Sequence, residues 1–189
     1  RVTEGGFSTI FTALWVKGRI TGYSGIGFDR AGSEKIILKV LKDSKNINSA
    51  FIKELNNIAL TQPNSNRYII QSYGVSQDPK TKNYIFVMPY IEHGSLHEYL
   101  LKHFDDVKWI DWGKSKGSKV NFLKSLVMGI KWIHQKKIIH RDIHSGNILV
   151  HQKNHQENIS RWNKLVHQEN YSLITDLGLS RPADKDPVI

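Results

Sequence analysis

The chain has 189 residues, 39% hydrophobic and 23% charged, which is the composition of an ordinary globular protein rather than of a disordered chain. It contains no cysteine, which excludes disulfides and thiolate metal sites and favours a reducing compartment, the cytoplasm or alternatively the nucleus. The net charge is +10, but the lysines are scattered and no apolar stretch approaches the roughly 20 residues of a membrane helix, so we expect neither nucleic-acid nor membrane partners.

The first half of the sequence predicts strands and one helix. Runs of β-branched, aromatic and aliphatic residues predict four strands, at residues 11–16, 35–41, 69–75 and 84–88. The glycine-rich residues 18–32 predict a long loop. Apolar residues at helical spacing behind Ser49 predict a helix that includes Leu55. The turn at 78–80 should join the last two strands into an antiparallel hairpin.

The second half predicts helices followed by short strands. Ser95 should cap a short helix that runs through Leu101, and a longer helix is predicted at residues 120–135. The apolar stripe of that longer helix should consist of Leu123, Val127, Ile130 and either Ile133 or His134. Short strands are predicted at residues 137–140, 147–150 and 173–175. A strand-rich part followed by a helix-rich part is the pattern of an α+β protein with two lobes.

One internal repeat stands out. The sequence LVHQ at residues 149–152 recurs at residues 165–168. We interpret residues 151–168 as a duplicated polar insertion that forms an exposed loop or a short hairpin outside the core. Its histidines could suggest a metal site, but no cysteine is present to complete a ligand set, and the duplicated loop is the favoured interpretation.

The motif that carries chemistry is HRDIHSGN at residues 140–147. It resembles the catalytic loop of protein kinases, H-R-D-L-x-x-x-N. The resemblance implies that Asp142 accepts the proton of a substrate hydroxyl and that Asn147 is a ligand of a magnesium ion. Further along, DLG at residues 176–178 resembles the kinase D-F-G element, which implies Asp176 as a second magnesium ligand.

The phosphate-binding groups implied by the same resemblance lie upstream. IILK at residues 36–39 resembles the V-A-I-K strand, so Lys39 should contact the α- and β-phosphates of ATP. Its ion-pair partner should be Glu54, in the helix that follows. Residues 4–10, EGGFSTI, resemble the glycine-rich phosphate loop through Gly5 and Gly6, although Thr3 and Ser8 stand where the first and third glycines belong.

The adenine site is also implied by the resemblance. Met88 stands at the gatekeeper position, the backbone C=O of Pro89 and N–H of Ile91 should face adenine, and Ile10 and Leu149 should enclose the ring. Ile37 replaces the alanine of the family. Such a bulky β-branched side chain would crowd the ring, and overpacking typically costs about 1–3 kcal/mol.

The resemblance implies an α+β, protein-kinase-like fold with two lobes. The small lobe should cover residues 1–88, with an antiparallel sheet and one helix, and a hinge should cover residues 89–94. An incomplete helical lobe is expected at 95–189, because the sequence ends inside the region that matches the kinase activation segment. We therefore expect this chain by itself to be inactive toward protein substrates.

The implied function is ATP- and magnesium-dependent phosphoryl transfer to a protein partner. Serine or threonine hydroxyls are favoured over tyrosine, although His144 stands where serine/threonine kinases often carry lysine. Two alternatives stay open. A pseudokinase or inactive fragment acting as a binding module would fit Ile37 and the degraded glycine loop. A kinase-like small-molecule phosphotransferase is disfavoured by Arg141 beside Asp142 and by the Lys39–Glu54 arrangement.

Overall fold

The computed structural model describes residues 3–6, 8–45, 52, 55, 68–109, 118–155, 167–177 and 180–182. The chain divides into two compact units. The first unit comprises Arg1–Leu55 and Gln71–Tyr90, and the second comprises Asn56–Ile70 and Ile91–Ile189.

An antiparallel sheet forms the first unit. Its five strands lie in the order β1-β2-β5-β7-β6, and their bounds are β1 Thr3–Glu4, β2 Ser8–Trp15, β5 Glu34–Leu41, β6 Gly74–Gln77 and β7 Tyr84–Pro89. Strand β5 is central, pairing with β2 on one side and β7 on the other. Its Ile36 and Leu41 are buried, as is Phe86 of β7. Apolar side chains therefore fill the centre of this sheet, as the sequence pattern predicted.

The glycine-rich stretch is not the predicted long loop. Within it, β3 Ile20–Tyr23 and β4 Phe28–Arg30 pair as a second, two-stranded antiparallel sheet. Gly25 and Gly27 occupy the turn with φ values of 81° and 158°, where a side chain would be strained, and the rings of Tyr23 and Phe28 meet edge to face at 5.8 Å. The glycines thus serve a tight turn, which a count of glycines alone does not distinguish from a loop.

The strand predicted at residues 69–75 is also corrected. The strand that pairs with β7 begins only at Gly74, whereas Ile69 makes an isolated parallel bridge to Ile174 within the second unit. The predicted antiparallel hairpin between the last two strands of the first unit is confirmed. Asp78 fixes its turn, because its Oδ1 accepts the N–H groups of Lys80 at 2.7 Å and Thr81 at 3.0 Å.

The second unit contains two described helices, α1 Leu96–His103 and α2 Lys119–Gln135. Ser95 caps α1 as predicted, and its side chain and that of Glu98 form a reciprocal capping box. Ser118 caps α2 by accepting the N–H of Asn121 at 3.1 Å. In the described part of the chain, no helix is both long enough and apolar enough to cross a bilayer.

The buried face of α2 differs from the predicted stripe. Leu123 and Val127 are 53% and 59% exposed. The buried positions are Phe122, Ser125, Gly129 and Ile133. The prediction is confirmed at Ile133, which is buried, and at Ile130, which packs against the apolar cluster that contains Ile133. It is wrong at Leu123 and Val127, because the small residues Ser125 and Gly129 take their place on the face that a neighbouring strand approaches.

Four further strands complete the second unit. They are β8 Ile138–Ile139, β9 Ile148–His155, β10 His167–Ile174 and β11 Arg181–Pro182. Strands β9 and β10 form an antiparallel hairpin that begins at Ile148↔Ile174 and continues to His155↔His167. For the described residues, the duplicated segment is therefore a hairpin, one of the two forms predicted for it. The part of that prediction that concerns residues 156–166 falls outside the residues that the structure describes.

Two apolar clusters form the core of the second unit. One joins the helix α2 residue Ile133 to Ile138, Ile174, Ile69 and Leu177. The other joins Tyr99 of α1 to Phe122, Val107 and Val150. The first cluster includes Ile138 of β8 and the second includes Val150 of β9, so the cores contain one residue of each strand that flanks the segment at residues 140–147. This segment carries the kinase-like motif.

Candidate active site

The loop at residues 140–147 connects β8 to the hairpin, and His140 fixes its start. The His140 side chain is buried. Its Nδ1 accepts the N–H of Asp142 at 3.3 Å, so its Nε2 carries the hydrogen and donates to the carbonyl of Thr175 at 2.9 Å. His140 is thus a packed residue that ties the loop to the end of β10, and it does not lie where a reacting group would be exposed.

Asp142 and Asn147 are brought together at the other end of the loop. The Asn147 side-chain amide donates to the Asp142 carboxylate Oδ2 at 2.9 Å and to the Asp142 backbone carbonyl at 3.1 Å. A short 3₁₀ turn, Ser145–Asn147, supplies the geometry. A hydrogen bond to a carboxylate is of the stronger, charge-assisted kind, so the amide holds the Asp142 carboxylate in one orientation.

Asp176 is placed beside the same loop by its neighbour in the chain. The N–H of Thr175 donates to the carbonyl of Asn147 at 3.0 Å, and the carbonyl of Thr175 accepts from His140. The loop therefore holds the Thr175 backbone from both sides. Asp176 follows directly in the chain, so these bonds place it next to the loop that carries Asp142 and Asn147.

Two residues in this part of the structure have unusual backbone conformations. Arg141 has φ 72° and Asp176 has φ 60°, both in the left-handed region that L residues rarely adopt. Aspartate tolerates this region better than most residues, but arginine does not. Such conformations persist only where surrounding contacts enforce them, and they cluster at functional sites.

The donor set fits a magnesium ion. Because the Asn147 amide nitrogen is committed to Asp142, the amide oxygen faces away from that carboxylate. Within the described residues this oxygen accepts no hydrogen bond. Amide and carboxylate oxygens are the ligands that Mg²⁺ uses, and Asn147 and Asp176 supply one of each.

Lys39 lies in the first unit, at the centre of the sheet. It is on β5, where its Cα partners are Ile10 of β2 and Phe86 of β7, and it is only 8% exposed. Lysine is almost never buried to this extent without a specific role for its charge. Glu54, its predicted ion-pair partner, lies outside the described residues.

Gly5 and Gly6 form the turn between β1 and β2. The Gly5 N–H donates to the Ser8 carbonyl at 2.9 Å, and its carbonyl accepts from Lys42 Nζ at 2.8 Å. A Cβ on Gly6 would meet nothing within 4 Å, and one on Gly5 only the Ser8 carbonyl at 3.7 Å. As far as the described residues show, the fold itself does not demand glycine here, so the space that side chains would fill beside this turn is available to a ligand, although both backbone groups of Gly5 already have partners.

The predicted adenine residues fall into two groups. In the first unit, Ile37 and Met88 are direct Cα partners on neighbouring strands, and Pro89 pairs with the preceding Ile36. In the second unit, the Ile91 carbonyl accepts the N–H of Gly94 at 3.2 Å. The Gly94 carbonyl accepts the N–H of Val150 at 3.0 Å, and Leu149 bridges to Ser95. Each unit therefore gathers its own share of these residues.

One contact at the site was not predicted from the sequence. His144 lies with Nε2 at 3.8 Å from Asp142 Oδ2. The signal in the sequence is its position two residues after the motif aspartate, which by itself bears only on acceptor specificity. Thr175 likewise carries no sequence signal, because its backbone makes the contacts.

Comparison with known proteins identifies the family of this chain. The family of protein tyrosine and serine/threonine kinases matches residues 1–188. The chain belongs to this family. Among similar kinases are the mitogen-activated protein kinase kinase kinase 1b of Physcomitrium patens, 32% identical over 72% of the chain, and a probable serine/threonine-protein kinase of Dictyostelium discoideum, 26% identical over 75%.

A third relative belongs to the tyrosine-specific branch. The tyrosine-protein kinase receptor TYRO3 of Danio rerio is 26% identical over 76% of the chain. The chain spans only 17%, 16% and 18% of the lengths of these three kinases, in the order given. The comparisons thus establish a protein kinase domain with the expected α+β fold, and they include relatives of both hydroxyl specificities.

Proposed function

We propose that this kinase domain transfers the γ-phosphoryl group of ATP to a protein hydroxyl in a magnesium-dependent reaction. The observation that carries the proposal is the assembly of Asp142, Asn147 and the Thr175–Asp176 segment by hydrogen bonds of 2.9–3.1 Å. Phosphoryl transfer depends on positioning and charge stabilisation more than on covalent chemistry by the protein. Asp142 as an oriented base, beside Asn147 and Asp176 as oxygen ligands for magnesium, would supply that positioning and charge stabilisation.

Asp142 would be the base in this reaction. Its Oδ2 is held by Asn147, whereas its Oδ1 receives no hydrogen bond from the residues that the structure describes. Oδ1 can therefore accept a proton from an acceptor hydroxyl. Asn147 Oδ1 and the Asp176 carboxylate would hold Mg²⁺, which when bound offsets the negative charge of the phosphates.

The first unit would bind the nucleotide. Buried Lys39 supplies a cation for the α- and β-phosphates, with Glu54 as its partner, and the open space beside Gly5 and Gly6 suits phosphate oxygens. The adenine-contacting residues of the first unit would be Ile10, Ile37, Met88 and Pro89, and those of the second unit would be Ile91 and Leu149. ATP and a protein substrate are thus the proposed partners. Serine or threonine is the proposed acceptor, and the cytoplasm the proposed location.

A nucleotide-binding module without turnover is the second candidate. It is favoured by Ile37, which is half-buried and directly beside Met88 on the neighbouring strand. A γ-branched or β-branched side chain there would reduce the space for adenine. In that case the domain would act by binding a partner rather than by phosphorylating it.

The decisive experiment measures nucleotide binding and transfer on the same preparations. Wild-type protein is compared with Asp142→Asn and with the control Asp105→Asn, which alters an exposed aspartate beyond α1. The preparations carry a complete kinase domain, because the 189 residues by themselves are expected to be inactive toward protein substrates. We expect magnesium-dependent ATP binding in all three, and transfer to a serine-, threonine- and tyrosine-containing peptide library that falls about 10²–10⁴-fold only in Asp142→Asn. Binding without transfer in the wild type would support the binding module. Absence of magnesium-dependent binding would refute both.

A further inference from the structure

The His144 side chain is 56% exposed, and its ring is oriented by a hydrogen bond within the loop that it belongs to. Its Nδ1 accepts the backbone N–H of Gly146 at 3.1 Å. The ring also lies tightly against Gly146: a Cβ on that glycine would come within 2.8 Å of the ring Cε1 and 3.0 Å of Nδ1. Gly146 has no positive φ that would call for glycine. The space that the imidazole occupies therefore accounts for glycine at this position.

The contact with Gly146 also determines the tautomer. A neutral imidazole has one N–H and one acceptor nitrogen. Because Nδ1 accepts from Gly146, the hydrogen must reside on Nε2. Nε2 is the atom that lies 3.8 Å from Asp142 Oδ2. The distance is longer than a hydrogen bond, but it places a donor of fixed orientation next to the carboxylate.

We propose that His144 is a positioning residue for Asp142. Together with the Asn147 amide, the Nε2–H of His144 confines Oδ2 from a second side and keeps Oδ1 directed toward the acceptor hydroxyl. Gly146 is required because it leaves room for the ring. This inference rests on the proposed function for its catalytic consequence, but its structural part, the tautomer and the ring position, is independent of activity.

The structural part is tested by NMR on protein with ¹⁵N-labelled histidine imidazoles at about pH 8, where histidine side chains are ordinarily neutral. The chain has nine histidines, and the His144 signals are assigned by their loss in His144→Asn. We expect the Nε2–H tautomer and a shift of the Nε2 resonance in Asp142→Asn. An Nδ1–H tautomer, or no response to Asp142→Asn, would overturn the proposal.

The catalytic part is tested with two substitutions at His144 that distinguish the role of Nδ1 from the role of Nε2. Asn at 144 can accept the Gly146 N–H, as asparagine does at helix caps, but is too short to reach Asp142. Gln at 144 can place an amide N–H where Nε2 lies. We expect His144→Asn to lower kcat about 2- to 10-fold with little change in the KM for ATP, and His144→Gln to retain more activity. The opposite order would show that His144 only caps the turn.

Gly146→Ala provides the matched test, because it displaces the ring without altering His144 or Asp142. It should lower kcat in the wild type and have no further effect in His144→Ala, where no ring remains to be displaced. Equal losses in both backgrounds would overturn the proposal. If wild type and Asp142→Asn transfer phosphate equally, the proposed function fails instead, and the NMR measurements alone decide the position of His144.

Discussion

Gly129 is the point at which the structure makes its sharpest stability prediction. It lies in the middle of α2 and faces the end of β10. A Cβ added there would come within 2.7 Å of Ile174 Cδ1 and 3.2 Å of the Tyr68 carbonyl oxygen. Ile174 leads directly into Thr175 and Asp176, so this helix–strand contact also supports the candidate active site.

Two opposing effects determine the outcome of Gly129→Ala. Alanine is favoured over glycine in a helix interior by about 1 kcal/mol. Overpacking in a core costs about 1–3 kcal/mol. The Tyr68 oxygen cannot easily recede, because it accepts the N–H of Ile174 at 2.9 Å. We therefore expect a net loss of up to about 2 kcal/mol in the free energy of unfolding.

The assay is urea unfolding of a double-mutant cycle with Ile174→Val, which deletes the Cδ1 atom at the point of closest approach. Ile174→Val alone should cost about 0.5–1.5 kcal/mol. The double variant should be more stable than the sum of the two losses by about 1 kcal/mol, because the clash is relieved. Lys131→Ala on the exposed face of α2 is the control. Strict additivity, or a stabilised Gly129→Ala, would refute this account of the contact.

Three further predictions concern other parts of the molecule. Burial, followed by the charge of His93, lowers the pKa of His151 below 6.5. Because the unfolded chain then binds more protons than the folded one, the free energy of unfolding should fall as pH decreases below about 6.5. Urea midpoints at about pH 7.5 and 5.5 should differ less in His151→Gln than in the wild type, and an equal difference would contradict this. Ile37→Ala should tighten ATP binding, by up to about 10-fold for 1.4 kcal/mol of relieved crowding; unchanged affinity in a titration would place Ile37 outside the nucleotide site. Ser95→Ala should destabilise the second unit by about 1 kcal/mol through loss of the α1 cap, measured by thermal unfolding, whereas Ser95→Asp should be nearly neutral.

Several features follow from the sequence because their causes are local. The Ser95 cap needs only a hydroxyl before a helical stretch with Glu98 in its first turn. The hairpin at 78–80 needs only an aspartate whose side chain accepts two nearby N–H groups. The kinase family is likewise readable from the 140–147 motif, since its chemistry fixes the spacing between Asp142 and Asn147.

The tertiary structure decided what depends on partners distant in sequence. Apolar spacing predicted Ile133 on the buried face of α2 but not Ser125 and Gly129. These two residues face the core only where β10 approaches, with the Ser172 N–H donating to Ser125 Oγ at 2.8 Å. The glycine-rich stretch became a hairpin because its turn glycines adopt positive φ between pairing strands.

The candidate active site shows the same division. The sequence determined that an aspartate and an asparagine lie five positions apart in a kinase-like loop. Because so few residues separate them, the two side chains cannot lie far apart in the folded loop. It did not determine that Thr175 would be clamped between His140 and Asn147, or that the His144 ring would lie against Gly146. Those contacts arise from backbone groups and from the absence of a side chain, which only the folded packing reveals.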